Sequence, residues 1–337
     1  MSTVIPASLS GVRGMVEPSL RAAVDRLNPQ MRRVAAYHMG WIDANGSPAE
    51  AGGKALRPAL ALLSTRAAGA PAATGVPGAT AVELVHAFSL LHDDIMDGDR
   101  TRRHRPAAWT VFGPSAAILG GDALLNLSVD VLLEQGTRGG YWAARCLTAA
   151  AQRLIAGQSL DLEFEQRQDV TLDECLTMAD DKTAALLACS CSVGAMLAEA
   201  PADLVTALTD FGAQLGVAFQ LTDDLLGIWG SPEVTGKPVL SDLRSRKKSL
   251  PMVAALTAGT GAAGELTELL AQADPLTEDD LRRAALLVEE AGGRAWAEAE
   301  AERRLGEAAD RLKSAEMPDD VRDEFLDLTR FVTARDR

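Results

Sequence analysis

Apolar residues recur every three or four positions along almost the whole chain, and runs that alternate apolar with polar residues are hard to find. A period near 3.6 lines one face of a helix, so this pattern confines the chain to an all-α architecture. Residues 82–91 and 215–229 are apolar on nearly every face, which suits helices in the middle of a bundle rather than on its surface. With 337 residues, 47% of them apolar, there is material for a large core. No internal repeat or low-complexity linker forces a boundary, so one helical domain over 1–337 is expected.

The breaks agree with helices. Residues 69–78 form a Gly/Pro/Ala connector, 136–140 a Gly-rich one, and Pro201 and Pro275 stand where periodic segments stop. Thr171 followed by Glu174 has the form of a capping box. Residues 230–251 contain three prolines, two glycines and a cluster of bases without helical period, and read as a long functional loop. The C-terminal third, from Glu265, is acidic and amphipathic and reads as outer helices.

A net charge of -14 excludes a nucleic-acid partner held by general electrostatics, so an anionic ligand must be gripped locally. Cys146, Cys175, Cys189 and Cys191 lack metal-ligand spacing and read as reduced, core-packed thiols. Residues 184–198 are the longest apolar run, short of the roughly 20 that span a bilayer. No signal peptide pattern is visible either, so a cytoplasmic protein without a transmembrane segment is expected.

Two acidic groups stand out. Asp93, Asp94 and Asp97 end an apolar helical run, with Asp93 and Asp97 on one face and Asp94 on its flank. Asp223 and Asp224 end another. Carboxylates at a helix C-terminus oppose the macrodipole unless cations compensate. Hard oxygen ligands of this kind suit Mg²⁺ shared with substrate phosphates. The bases point the same way: only six of the 33 basic residues are lysines, and five of those, Lys54, Lys182, Lys237, Lys247 and Lys248, lie at or beside Gly/Pro-marked junctions. Arg57 follows Lys54, and Arg100, Arg102, Arg103 and Arg105 follow the first acidic group. Arginine forks and lysine point charges are the usual grips for diphosphates. A Walker motif, a GxGxxG following a strand and a GxSxG are absent.

In order from Gly52, the segments GGKALRP, HDDIMD, TRRHRP, GQSLDLEFE, DDKTA, FQLTDDLLG and KKSLP make the chain resemble the trans-isoprenyl diphosphate synthase (polyprenyl synthetase) family. The resemblance implies an all-α bundle around a deep cavity, usually a homodimer, that condenses isopentenyl diphosphate with an allylic diphosphate. It places Asp93, Asp94 and Asp97 on two Mg²⁺ and Asp223 on a third, with Asp224 supporting it. Arg102, Lys182, Lys237 and Lys247 would hold the allylic diphosphate beside Gln220. Lys54, Arg57, His86 and Arg103 would hold isopentenyl diphosphate, Thr183 and Gln158 would line the reacting carbons, and Asp161 is the acid of the GQxxDL motif.

The second acidic motif departs from the family's DDxxD, ending in Gly227 where the third acid is normal. Phe88 and Ser89, five and four residues before Asp93, are the chain-length positions. An aromatic at the fifth position back and none at the fourth resembles C20 producers, which assigns geranylgeranyl diphosphate, with farnesyl diphosphate (C15) the alternative. A terpene-cyclase-like enzyme and a regulatory subunit of a heteromeric synthase are the competing functions. Retention of Lys54, Arg57 and Arg103 speaks against the first, and the intact Asp93, Asp94 and Asp97 against the second.

Overall fold

The computed structural model describes residues 9, 11–49, 55–231 and 239–333. Among them the regular structure is helical apart from one two-stranded hairpin and an isolated bridge between Ile42 and Pro48. Contacts divide the chain into two compact units: Met1–Ala151 with Cys189–Thr209 and Ala315–Leu328, and Gln152–Ala188 with Asp210–Ser314 and Thr329–Arg337. Four helices, α7 (Arg138–Gln166), α9 (Ala185–Leu197), α10 (Ala202–Trp229) and α16 (Asp319–Thr333), contribute residues to each unit.

The first unit is organised on α4 (Val76–Met96), which packs on α1 (Val12–Val24), α3 (Leu56–Ala67) and α6 (Pro114–Leu133). Val82, Leu84, Val85 and Leu91 of α4 are completely or almost completely buried, as its all-round apolar sequence requires. Asn28 caps α2 (Pro29–His38) by accepting from the backbone N–H groups of Gln30 and Met31. After α4 come the strands β1 (Thr101–Arg102) and β2 (Arg105–Pro106), paired Thr101 with Pro106 and Arg102 with Arg105, and then the short α5 (Ala108–Phe112).

The second unit holds α8 (Leu172–Ala179), α11 (Ser241–Arg244), α12 (Leu250–Leu256), α13 (Gly261–Leu270), α14 (Glu278–Glu290) and α15 (Gly293–Lys313). The expected capping box is present: Thr171 accepts from the Glu174 N–H, and the Glu174 carboxylate accepts from Thr171. One core gathers Phe164, Met178, Val217, Leu221 and Leu250. Another gathers Ile228, Leu243, Leu266, Leu281 and Leu287, so α14 fills a core rather than only covering one.

Several expectations need correction. The stretch read as a loop from 230 to 251 contains α11, and α12 has begun by Leu250; residues 232–238 lie outside the described part. Gly139 and Gly140 lie inside the first turn of α7, where a side chain would strike a neighbouring backbone carbonyl, and Gly78 lies inside α4, tight against Leu197 and Val193. The longest unbroken apolar run was a poor guide to membrane-length helices. Both α6 and α10 are long and apolar enough to cross a membrane by length and composition, with half of each such window buried inside the protein. The four cysteines are free thiols, three buried and Cys146 partly so.

Between α8 and α9 the helix widens into a π turn, Asp180–Ala184. Such turns survive in helices mostly where a side chain must be re-aimed. Here Gly157 of α7 lies against it so closely that a Cβ would strike the backbone of Lys182. Gly157→Ala is therefore expected to lower stability by about 1–3 kcal/mol, read as a shifted urea midpoint; an unchanged midpoint would show that the contact is loose.

Candidate active site

In the first unit, α4 delivers its acids to one end. Asp94 is buried, at 1% exposure, while Asp93 is half-buried and Asp97, the C-cap, is exposed. A carboxylate that deep needs a partner, and the Arg102 Nε donates to its Oδ1 at 2.6 Å. Burial still pushes the Asp94 carboxyl up, with Arg102 pulling it back. Its other oxygen, Oδ2, is buried with no hydrogen-bond partner among the described residues.

Arg102 is brought there by the hairpin, whose turn residues Arg103 and His104 both have positive φ, 51° and 61°. A turn of this kind prefers Asn-Gly, and each bulkier residue costs roughly 1 kcal/mol. Placing Arg103 and His104 there sacrifices stability for their side chains, as functional turns do.

Arg103 lines a small cavity with Arg13, His38, Glu83 and His86. Arg57, in the first turn of α3, lies 3.4 Å from the His86 Nε2 through its Nη1. Burial, followed by the fields of Arg57 and Arg103, holds His86 far below the usual imidazole range. His38 is lowered to about 3 by burial and then by Arg102, Arg103 and Arg105. Both rings are thus neutral in a strongly positive surrounding, the electrostatic signature of a place for an anion. Glu83 offsets part of that charge; burial raises its carboxyl, and Arg57, Arg103 and Arg13 lower it. The sequence reading missed Glu83 and His38, though a lone acid within the apolar 82–91 run was a usable signal for the first.

In the second unit the π turn presents Lys182 and Thr183. The Lys182 Nζ donates to Asp161 at 2.5 Å, and the Thr183 hydroxyl to the Gln220 Oε1 at 2.5 Å. Gln220 passes the chain on, its Nε2 donating to the Asp224 Oδ1 at 2.9 Å. Asp224, also 1% exposed, receives the Leu250 N–H on Oδ2 and lies 3.5 Å from the Lys247 Nζ. Burial raises its carboxyl to about 6, Lys247 opposing; Lys247 stays cationic, raised by Asp224, Asp242, Asp161 and Asp223 against its own burial. Asp224 is thus the anchor of a network, with Asp223 one residue before it in α10. Gln158 is buried in α7.

Lys54 and Lys237 lie outside the described residues. Phe88 is buried, edge-on to His92 with ring centroids 4.8 Å apart, and the Ser89 hydroxyl donates to the His86 carbonyl. Among the described residues no three carboxylate, imidazole or thiol groups converge as a self-sufficient metal cage. Mg²⁺ does not need one, since it is usually held by one or two carboxylates plus substrate phosphates. The open Asp94 Oδ2 and the acids beside it fit that form of binding.

The polyprenyl synthetase family model matches residues 43–288. A (2E,6E)-farnesyl diphosphate synthase of Mycobacterium tuberculosis is 47% identical over 325 residues, covering 95% of this chain and 90% of that protein. The crystal structure of a polyprenyl synthetase from Streptomyces coelicolor A3(2) superimposes with a TM-score of 0.94 at 53% identity, covering 98% of this chain and 100% of that one. A geranylgeranyl pyrophosphate synthase from Corynebacterium glutamicum, complexed with isoprenyl diphosphate and magnesium, matches with a TM-score of 0.83 at 25% identity, covering 99% of this chain and 100% of that one. The chain belongs to the polyprenyl synthetase family, the one its motifs resemble, and has that family's all-α fold.

The raised Asp224 carboxyl has a measurable consequence. A carboxyl whose pKa rises on folding favours the folded state while protonated, and that contribution disappears as pH climbs through about 6. Asp224→Asn keeps the shape without the charge, so its stability relative to wild type should increase between about pH 4 and about pH 7, by roughly 2–3 kcal/mol. Urea unfolding of both proteins at the two pH values checks this, and a difference independent of pH would contradict it.

Proposed function

We propose that this chain is a Mg²⁺-dependent, chain-elongating trans-prenyltransferase that condenses isopentenyl diphosphate with an allylic diphosphate to a short-chain product. The observation that carries the reading is the pairing of features around α4. A carboxylate end with an open, buried oxygen on Asp94 adjoins, in sequence, an arginine-rich hairpin beside two neutral histidines. The first suits a divalent cation and the second suits a diphosphate.

Asp93, Asp94, Asp97 and Asp223 would hold the cations, with Asp224 keeping its neighbour in place. Mg²⁺, when bound, supplies positive charge to the leaving diphosphate. Arg102, Lys182 and Lys247, with Lys237, bind that diphosphate and take up the charge developing on its oxygens. Arg57, His86 and Arg103, with Lys54, hold isopentenyl diphosphate so that its double bond lies against the allylic carbon, and positioning replaces a nucleophilic side chain. Thr183 and Gln158 line the reacting carbons. The proton lost after carbon–carbon bond formation passes to the departing diphosphate, so no protein base is needed.

Phe88 supports a product of C20 or C15 because its ring lies about one turn before Asp93 on α4. We assign C20 as the main product and C15 as the alternative; a farnesyl synthase among the relatives keeps the shorter product in play. We also propose a homodimer. Its support is the exposed apolar surface of α6 and α7, where Ile118, Leu119, Tyr141 and Trp142 are 42–55% exposed.

Incubation with Mg²⁺, isopentenyl diphosphate and, separately, dimethylallyl, geranyl and farnesyl diphosphate should yield elongated prenyl alcohols after dephosphorylation. Chelation should abolish them. Phe88→Ala should shift the distribution to longer chains. A hydrocarbon formed from farnesyl diphosphate with isopentenyl diphosphate untouched would replace this reading with a cyclase.

A further inference from the structure

Gly227 stands where the second acidic motif would place its third carboxylate, one helical turn after Asp223 on the same face of α10. The space is not open. A Cβ built on Gly227 would coincide with the carboxyl group of Asp242, meeting its Cγ and both oxygens. Asp242 comes from α11, and that helix is fastened at this point. The Ser241 hydroxyl lies 3.2 Å from the Gly227 carbonyl and 3.3 Å from the Asp242 Oδ1, the Lys247 N–H donates to the Asp242 carbonyl at 2.9 Å, and Leu243 is fully buried.

We propose that Asp242 supplies, from a separate helix, the third carboxylate that the second acidic motif lacks at position 227. Glycine at 227 is then a requirement of the arrangement: any side chain there would expel the Asp242 carboxylate. The placement serves the site in two ways. It puts a negative charge on the Asp223 face of α10, where it favours a divalent cation. It also holds Lys247, whose side chain lies in the combined field of Asp224, Asp242, Asp161 and Asp223. Asp242 is a positioning residue, acting through the cation and Lys247 rather than on carbon.

The inference rests on the Mg²⁺ reading above, and the test separates the two. Mn²⁺ binding is measured by calorimetry in the presence of inorganic diphosphate, alongside the Mg²⁺ concentration that half-saturates condensation. Asp242→Asn, isosteric and able to keep the Ser241 contact, should weaken Mn²⁺ binding by about tenfold or more with an unchanged unfolding midpoint. Gly227→Asp should be impaired by collision of the two side chains. Gly227→Asp combined with Asp242→Ala should recover most of the loss, because the carboxylate can come from either position but not both. If wild type binds Mn²⁺ with diphosphate and Asp242→Asn binds it equally well, the inference is overturned and the Mg²⁺ reading stands. A double variant no better than Asp242→Ala alone overturns it too. If wild type binds no Mn²⁺ under these conditions, the Mg²⁺ reading falls and takes the inference with it.

Discussion

A carboxylate withdrawn from water stays ionised only when neighbouring groups replace what the solvent supplied. Among the described residues two are withdrawn, Asp94 and Asp224, each to 1% exposure, and the local structure around both follows from satisfying them. For Asp94 the answer is Arg102, delivered by a hairpin whose turn tolerates positive φ at Arg103 and His104. For Asp224 it is a relay through Gln220 to Thr183, the Leu250 N–H and Lys247. That relay requires the π turn between α8 and α9, and the π turn requires a glycine at 157. The other acids of the first motif, Asp93 and Asp97, are less buried, and it is these that we propose for a cation.

The bases obey the converse constraint. Arg57, Arg102, Arg103 and Arg105 act on two imidazoles that remain neutral beside them, and Glu83 supplies a counter-charge within the same pocket lining as Arg103. A fold that gathers cations in this way sacrifices stability in the absence of an anion and recovers it on binding one. Diphosphates are suited to that role, being highly charged and matched to arginine forks.

The helical class was legible because a 3.6-residue period survives in any alignment of faces, and the acidic and basic segments were legible as ordered motifs. The division of labour within them was not. Asp94 and Asp224 look like their neighbours in sequence, and only the packing of α4 and α10 decides which acid is buried. α11 escaped notice because a one-turn helix has no period to detect, and with it went the meaning of Gly227, since its partner Asp242 is fifteen residues further on. The hairpin was hidden for the same reason, its strands being two residues each. The expectation of one domain meets a chain whose contacts divide into two compact units, while the family match at 43–288 runs through both.

In this member of the polyprenyl synthetase family the acids and bases that we propose for the two substrates lie largely among the described residues, and the second acidic motif ends in Gly227. We propose that the gathered charge exists to let an allylic diphosphate depart before the new carbon–carbon bond forms. The most direct test is turnover with an allylic substrate carrying fluorine on the alkene carbon next to the reacting carbon, compared with the unsubstituted substrate at saturation. Withdrawal of electrons from a developing allylic cation should slow condensation by about a hundredfold or more, equivalent to roughly 3 kcal/mol in the barrier. An unchanged rate would mean that bond formation drives departure, and the charge distribution described here would need another explanation.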